Sequence, residues 1–226
     1  MANKKLIIVT DFDGTLTKVD IGDELCKKFI APRFAELSKN YQGDKMTLVE
    51  MQTAIWNHFP ASKSDFENFV STQSELREGV NDFFENCADQ KTPVYIASCG
   101  LRPYIDQVLR EQLSPKAQTA IVKIFTNEFE FTTEGTKYKA ARNLESSPYS
   151  LDKGQVCEDV RKTHSTTPSF IVSLGNGKSD RSFIQHCDLL FATDNFAKFC
   201  EKESVSYKRF DDFTNIKDQI KSNMLN

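Results

Sequence analysis

The chain has no long apolar run. Its first strongly apolar stretch, residues 6–9, follows two lysines. That is too short for the core of a secretion signal, and nowhere do about 20 consecutive apolar residues offer a membrane span. Nor is there a surplus of positive charge: 29 Lys and Arg stand against 32 Asp and Glu, a net −3, with a pI of about 5.7. Nucleic-acid scaffolds carry a basic excess, so no nucleic-acid partner is expected, and any bound anion has to be held by a local site. The six cysteines, at 26, 87, 99, 157, 187 and 200, include no C-x-x-C pair, which removes zinc-knuckle and thioredoxin-type chemistry. Internal repeats and low-complexity tracts are also absent. These absences describe a protein of a reducing, aqueous compartment, expected in the cytoplasm as a monomer or homodimer without a membrane partner.

What is present is ample material for a core. The 226 residues are 39% hydrophobic and include 18 Phe, enough to bury a sizeable interior without disulfide staples. Four short apolar runs, 6–9, 94–97, 170–174 and 189–192, read as buried strands, with a weaker fifth at 120–125. Helical patterns lie between them, notably 101–113 with Pro103 in its first turn, and 179–187. Strands alternating with helices predict an α/β fold, a Rossmann-like parallel sheet sandwiched by helices, with ligands gathered beyond the carboxyl ends of the strands. Two segments break the alternation. Residues 17–84 read as helices over 22–30, 34–41, 47–59, 64–74 and 80–90; residues 128–140 read as a hairpin at a sheet edge.

The chemistry-bearing residues sit at the ends of the strands. Asp11-Phe12-Asp13-Gly14-Thr15 directly follows the first run. Alternate residues of an extended chain point the same way, so Asp11 and Asp13 share a face. Two carboxylates so close repel unless a proton or cation intervenes; Mg²⁺, satisfied by a few oxygens and several waters, resolves the repulsion. An ordinary Asp-Gly turn is the plainer reading of the same letters. The second run ends in Ser98-Cys99-Gly100 ahead of a helix, where a hydroxyl and backbone N–H groups make an anion cradle. Lys153-Gly154 precedes another helix, and residues 170–174 lead into Gly175-Asn176-Gly177-Lys178-Ser179-Asp180. The Gly-Lys-Ser triplet imitates a nucleotide phosphate loop, but that loop's first glycine would have to stand at Val172, inside the strand.

Taken in order, D-x-D-G-T, a hydroxyl, a lysine and G-x-G-x-x-D resemble the haloacid-dehalogenase (HAD) superfamily of aspartate-nucleophile phosphatases. Within it the chain is similar to the phosphoserine-phosphatase branch, with patterns like those of methionine-salvage enol-phosphate phosphatases and fungal sugar-alcohol phosphatases. Arg77-Glu78-Gly79 and Cys187-Asp188-Leu189-Leu190-Phe191-Ala192 extend the resemblance over the whole chain. It implies a HAD-like core of residues 1–16 and 85–226, with a small helical cap, residues 17–84, inserted after the first strand. It implies Mg²⁺-dependent hydrolysis of a small phosphorylated metabolite through an aspartyl-phosphate. Asp11 would be nucleophile and metal ligand. Asp13 would be acid, then base, and would lend its backbone carbonyl to the metal. Ser98, Cys99 and Gly100 would hold phosphate oxygens, Lys153 would pair with Asp11 and the phosphate, and Asn176 and Asp180 would complete the metal site. The physics of phosphoryl transfer agrees: positioning and charge stabilisation dominate, and a covalent intermediate splits one hard step into two.

Asn176 departs from the family pattern, which usually has Asp there. An amide oxygen still ligates but brings no formal charge, so weaker Mg²⁺ affinity is expected. That departure keeps open a non-catalytic phosphometabolite-binding or regulatory protein, and an aspartyl-phosphate also serves a phosphotransferase. The substrate is less legible. Asp20 stands near where phosphoserine enzymes place an acid that contacts the substrate; Asp20 or Asp23 would read hydroxyls or an amine, or would only start a helix. Arg77 either binds an acidic substrate tail or pairs with a nearby acid. Trp56 and Phe59 either line a cap pocket or pack a core. His58, His164 and His186 have no ligand spacing. Sugar-alcohol phosphates, the methionine-salvage enol phosphate and phosphoserine are the expected substrates, in that order. The cap is expected to open and close over the site, flexing near 15–20 and 77–84.

Overall fold

The computed structural model describes residues 4–141 and 147–225. Its centre is one sheet of β1 (Lys5–Thr10), β2 (Val94–Leu101), β3 (Ile121–Thr132), β4 (Gly135–Lys139), β5 (Ser169–Gly175), β6 (Leu189–Ala192) and β7 (Lys208–Arg209). The order is β4-β3-β2-β1-β5-β6-β7, and only β3 and β4 pair antiparallel. Ile8 of β1 faces Val94 on one side and Val172 on the other. Both faces of β1 are covered. Ile7 and Val9 enter an apolar cluster with Val156, Val160, Phe196 and Cys200, whereas Ile8 enters a larger one with Val80, Phe84, Ile105 and Ile216. Period-two residues sent to two cores explain why a buried parallel strand reads as an unbroken apolar run.

The insertion after β1 holds α1 (Ile21–Gln42), α2 (Leu48–Trp56) and α3 (Lys63–Gln73), followed by α4 (Val80–Asp89). Thr47 and Glu50 form a reciprocal capping box on α2, and Ser62 caps α3. Residues 22–30 and 34–41, expected as separate helices, run together across a kink with non-helical Ile30 at φ −141 and Pro32 just beyond. A proline cannot hydrogen bond to the preceding turn, so it bends the helix without stopping it. The expected 84/85 division falls inside α4, whose Phe83 meets Phe213 at 5.5 Å. The two crossings between insertion and core lie side by side: Thr17 bridges Leu76, Lys18 N–H donates to Glu75 O, and Arg77 N–H donates to Leu16 O.

Two expectations need correction. The weak strand at 120–125 and the first arm of the hairpin are one strand, β3. The hairpin itself stands at the sheet edge as expected, with β4 outermost, and Trp56, Phe59 and Phe66 of the insertion pack on its Phe129 at 5.7–6.5 Å. Residues 179–187 are not an α-helix; a 3₁₀ turn spans Lys178–Phe183. There the Asp180 carboxylate draws in two backbone N–H groups and tightens the turn. The core is completed by α5 (Arg102–Gln112), α6 (Pro115–Gln118), α7 (Lys153–Thr163), and α8 (Asp194–Lys202) and α9 (Ile216–Leu225), the last two in a stretch the sequence patterns left unassigned. No helix among the described residues is long and apolar enough to cross a membrane.

Candidate active site

The carboxyl ends of β1, β2 and β5 meet the insertion around a cavity of about 770 Å³. Asp11 leaves β1 with its N–H on Leu174 O of β5, at 2.9 Å. Its Oδ1 lies 2.7 Å from Lys153 Nζ, and its Oδ2 accepts from Thr15 Oγ1 at 3.3 Å. Lys153 starts α7, is 1% exposed, and also donates to Asp180 Oδ1 at 2.5 Å. The second Asp180 oxygen accepts from the N–H groups of Asn176 and Gly177, each at 2.8 Å. Asn176 stands against the first loop, its Nδ2 only 2.1 Å from where a Cβ on Gly14 would be. Asp13 Oδ1 accepts from Ile21 N–H, the first turn of α1, at 3.1 Å; its Oδ2 accepts from Tyr104 Oη at 2.6 Å. Ser98 Oγ lies 3.4 Å from Asp13 Oδ2 and accepts from Gly100 N–H.

The electrostatics are short of positive charge. Asp11, Asp13 and Asp180 are all buried, with Lys153 the buried ammonium among them. Burial first, then Asp180, pushes the Asp11 carboxyl up to about 7. Burial, then Asp20, pushes Asp13 up to about 8. Burial works against the Lys153 charge, but Asp11 and then Asp180 outweigh it and hold the ammonium above its ordinary pKa. A divalent cation fits this deficit. Asp11, the Asn176 amide and the Asp13 carbonyl would offer it oxygens of the hard kind Mg²⁺ takes; Asp180, expected to join them, has both oxygens engaged, on Lys153 and on the Asn176 and Gly177 N–H groups. No group of three or more His, Cys, Asp or Glu able to hold a metal occurs among the described residues, so the neutral oxygens carry part of any such site.

Asp11, Asp13, Asp20, Ser98, Cys99, Gly100, Lys153 and Asn176 all line the one cavity; Asp180 lies behind Lys153 with no exposure. Asp20 faces the cavity while its Oδ1 caps α1 through Asp23 N–H at 2.8 Å, so both readings of that acid apply. Trp56 also does both, lining the cavity and packing on Phe59 at 4.9 Å. Arg77 is not in the lining: its guanidinium holds Gly14 O at 2.8 Å, Asp211 O at 2.9 Å and Asp194 at 3.1 Å. Cys99 is half-buried, and burial pushes its thiol up, away from the reactive thiolate. The sequence patterns missed Tyr104, Gln52 and Tyr41 on the walls. Gln52 Nε2 donates to Cys99 O at 2.6 Å, tying α2 to the Ser98 turn. A polar residue on a cap helix has no local mark of that role.

Comparison with known proteins gives the family and the fold. The sequence profile of haloacid dehalogenase-like hydrolases matches residues 8–185. A polyol phosphate phosphatase of Saccharomyces cerevisiae is 29% identical, over 94% of this chain and 91% of its own. A 2-hydroxy-3-keto-5-methylthiopentenyl-1-phosphate phosphatase of Bacillus pumilus is 25% identical, over 96% and 93%. Among solved structures, a phospho-aspartyl intermediate analogue of phosphoserine phosphatase superposes with a TM-score of 0.66 at 16% identity, covering 92% of this chain and 94% of that one.

Proposed function

The chain belongs to the haloacid dehalogenase-like hydrolases and is a phosphoric monoester hydrolase; from that premise we propose that it hydrolyses a small phosphorylated metabolite through a phosphoryl group carried on Asp11. The observation that carries this reading is the buried Asp11–Lys153–Asp180 chain at the cavity floor, with Asp13 beside it. Asp11 Oδ2 attacks phosphorus and the ester oxygen departs. Asp13, which burial keeps protonated near neutral pH, supplies the proton that oxygen takes up. Asp13, now ionised, takes a proton from the water that cleaves the acyl phosphate, and both acids are restored. Lys153 holds Asp11 and would neutralise the equatorial oxygens, for which Ser98 Oγ, itself accepting from Gly100 N–H, is a further donor. Mg²⁺ held by Asp11, Asn176 and the Asp13 carbonyl would supply further charge against the phosphate.

The walls favour a polyhydroxylated leaving group. Asp20, Asp23 and Ser38 line the cavity with Asp11 and offer hydrogen-bonding positions to hydroxyl groups. This agrees with the polyol phosphate named for the yeast relative. The test is turnover of p-nitrophenyl phosphate and of a panel of polyol, enol and amino-acid phosphates, with and without Mg²⁺. We expect Mg²⁺-dependent release of phosphate that falls by at least about 10³-fold in Asp11→Asn, where the nucleophile is gone. Tight binding without hydrolysis would instead support a binding protein, for which Asn176 is the supporting observation. Transfer to an added alcohol would reveal a phosphotransferase.

A further inference from the structure

Tyr104 plays no part in the chemistry above, yet its hydroxyl makes the closest contact to Asp13, 2.6 Å to Oδ2, against 3.1 Å from Ile21 N–H and 3.4 Å from Ser98 Oγ. A buried tyrosine needs some partner for its hydroxyl, but the surroundings are built around this pair. Gly100 has to lack a side chain: a Cβ there would lie 2.0 Å from Tyr104 Oη and 2.4 Å from Asp13 Oδ2. The ring is held on two sides, 6.4 Å from Phe12 and 6.5 Å from Phe66. Tyr104 is on a core helix, whereas Ile21 opens the first cap helix. One Asp13 oxygen is therefore fixed by the core and the other by the cap.

The two partners differ chemically. A backbone N–H only donates, and so favours the carboxylate. A hydroxyl can turn its O–H to either form of the carboxyl, so it stays on Oδ2 through both halves of an acid–base cycle and leaves the acid's own proton for the leaving oxygen. Resting on the reading of Asp13 as acid and base, we propose that Tyr104 is its positioning residue, holding the carboxyl in one orientation at the cavity wall whichever charge it bears. Loss of the hydroxyl then slows the steps that move a proton through Asp13 and spares the attack by Asp11.

Leaving groups separate these steps, because p-nitrophenolate departs without a proton and an alcohol does not. Tyr104→Phe keeps the ring and its packing. In stopped flow with p-nitrophenyl phosphate, we expect its p-nitrophenol burst rate to stay within about twofold of the parent. Turnover of glycerol 3-phosphate, the alkyl probe, should fall about tenfold or more with KM unchanged, part of the ~10²–10⁴-fold that acid–base assistance supplies. In an Asp13→Asn background, the same substitution should add less than about twofold, because two residues acting as one unit are not additive. Equal slowing of burst and alkyl turnover, a change confined to KM, additive losses in the double variant, or unaltered turnover would each overturn the assignment. Failure of the underlying reading shows separately: the parent itself would give no Asp11-dependent hydrolysis, and Tyr104 would lose its role with it.

Discussion

At the scale of single residues, the site is governed by a charge imbalance. Three buried carboxylates, Asp11, Asp13 and Asp180, share one buried ammonium, Lys153. Asp13 has a folded value of about 8, above the roughly 3.9 of an unfolded aspartate. Folding therefore favours its protonated form. The stability it contributes is complete below about pH 4 and is lost as pH rises through about 8. Calorimetry in EDTA should show Asp13→Asn close to the parent at pH 5 and several degrees higher in Tm at pH 9. A Tm difference that is the same at both pH values would contradict the assignment of a raised Asp13. The pairing of Asp11 with Asp13 was legible in sequence, because a strand alternates its side chains. The link from Tyr104 to Asp13 was not: 91 residues separate them, and a tyrosine in a first helical turn looks like any core filler.

At the scale of elements, short-range chemistry explains most boundaries. The capping box at Thr47, the Ser62 cap and Pro103 at the start of α5 all follow from the local letters. Gly79 does not. It precedes α4 at φ +79 and makes no side-chain cap, and a Cβ there would meet Thr214 N at 2.8 Å and the Phe213 carbonyl carbon at 2.9 Å. The glycine serves both a left-handed backbone and the close passage of a distant chain. Gly79→Ala should therefore cost about 2 kcal/mol, a drop of roughly 4–8 °C in Tm, with kcat little changed. An unchanged melting temperature in a thermal scan would count against this account. Elsewhere, tertiary contacts overrode local pattern, as in the kinked α1 and the tightened turn at Lys178–Phe183.

At the scale of the whole molecule, the insertion is no separate bundle. One apolar cluster runs from Leu25, Trp56 and Phe66 of the insertion through Phe129 of the hairpin to Ile8 and Val172 of the sheet. Aromatic contacts stitch this seam, with Phe66 stacked on Phe129 at 5.7 Å and edge-on to Phe131 at 5.4 Å. Cap and core should therefore melt together. Trp56 is the sole tryptophan and lies in this seam, so its fluorescence reports on the cap while far-UV circular dichroism reports on the whole. The two denaturation curves should coincide within error. A fluorescence transition at clearly lower urea would mean that the cap unfolds by itself.

The amino-acid order alone determined the sheet's central strands, the helical nature of the insertion and the residues gathered at the strand ends. Those features arise from local periodicity and from the rule that parallel strands present their carboxyl ends on one side. Only the tertiary structure decided the other distant partners: Asp180 on the far side of the Lys153 that was expected on Asp11, Tyr104 on Asp13, the hairpin packed on the insertion, and Arg77 as a brace for the loop at Gly14. Such contacts depend on how whole elements pack, and neither composition nor spacing encodes the distance between side chains far apart in the chain.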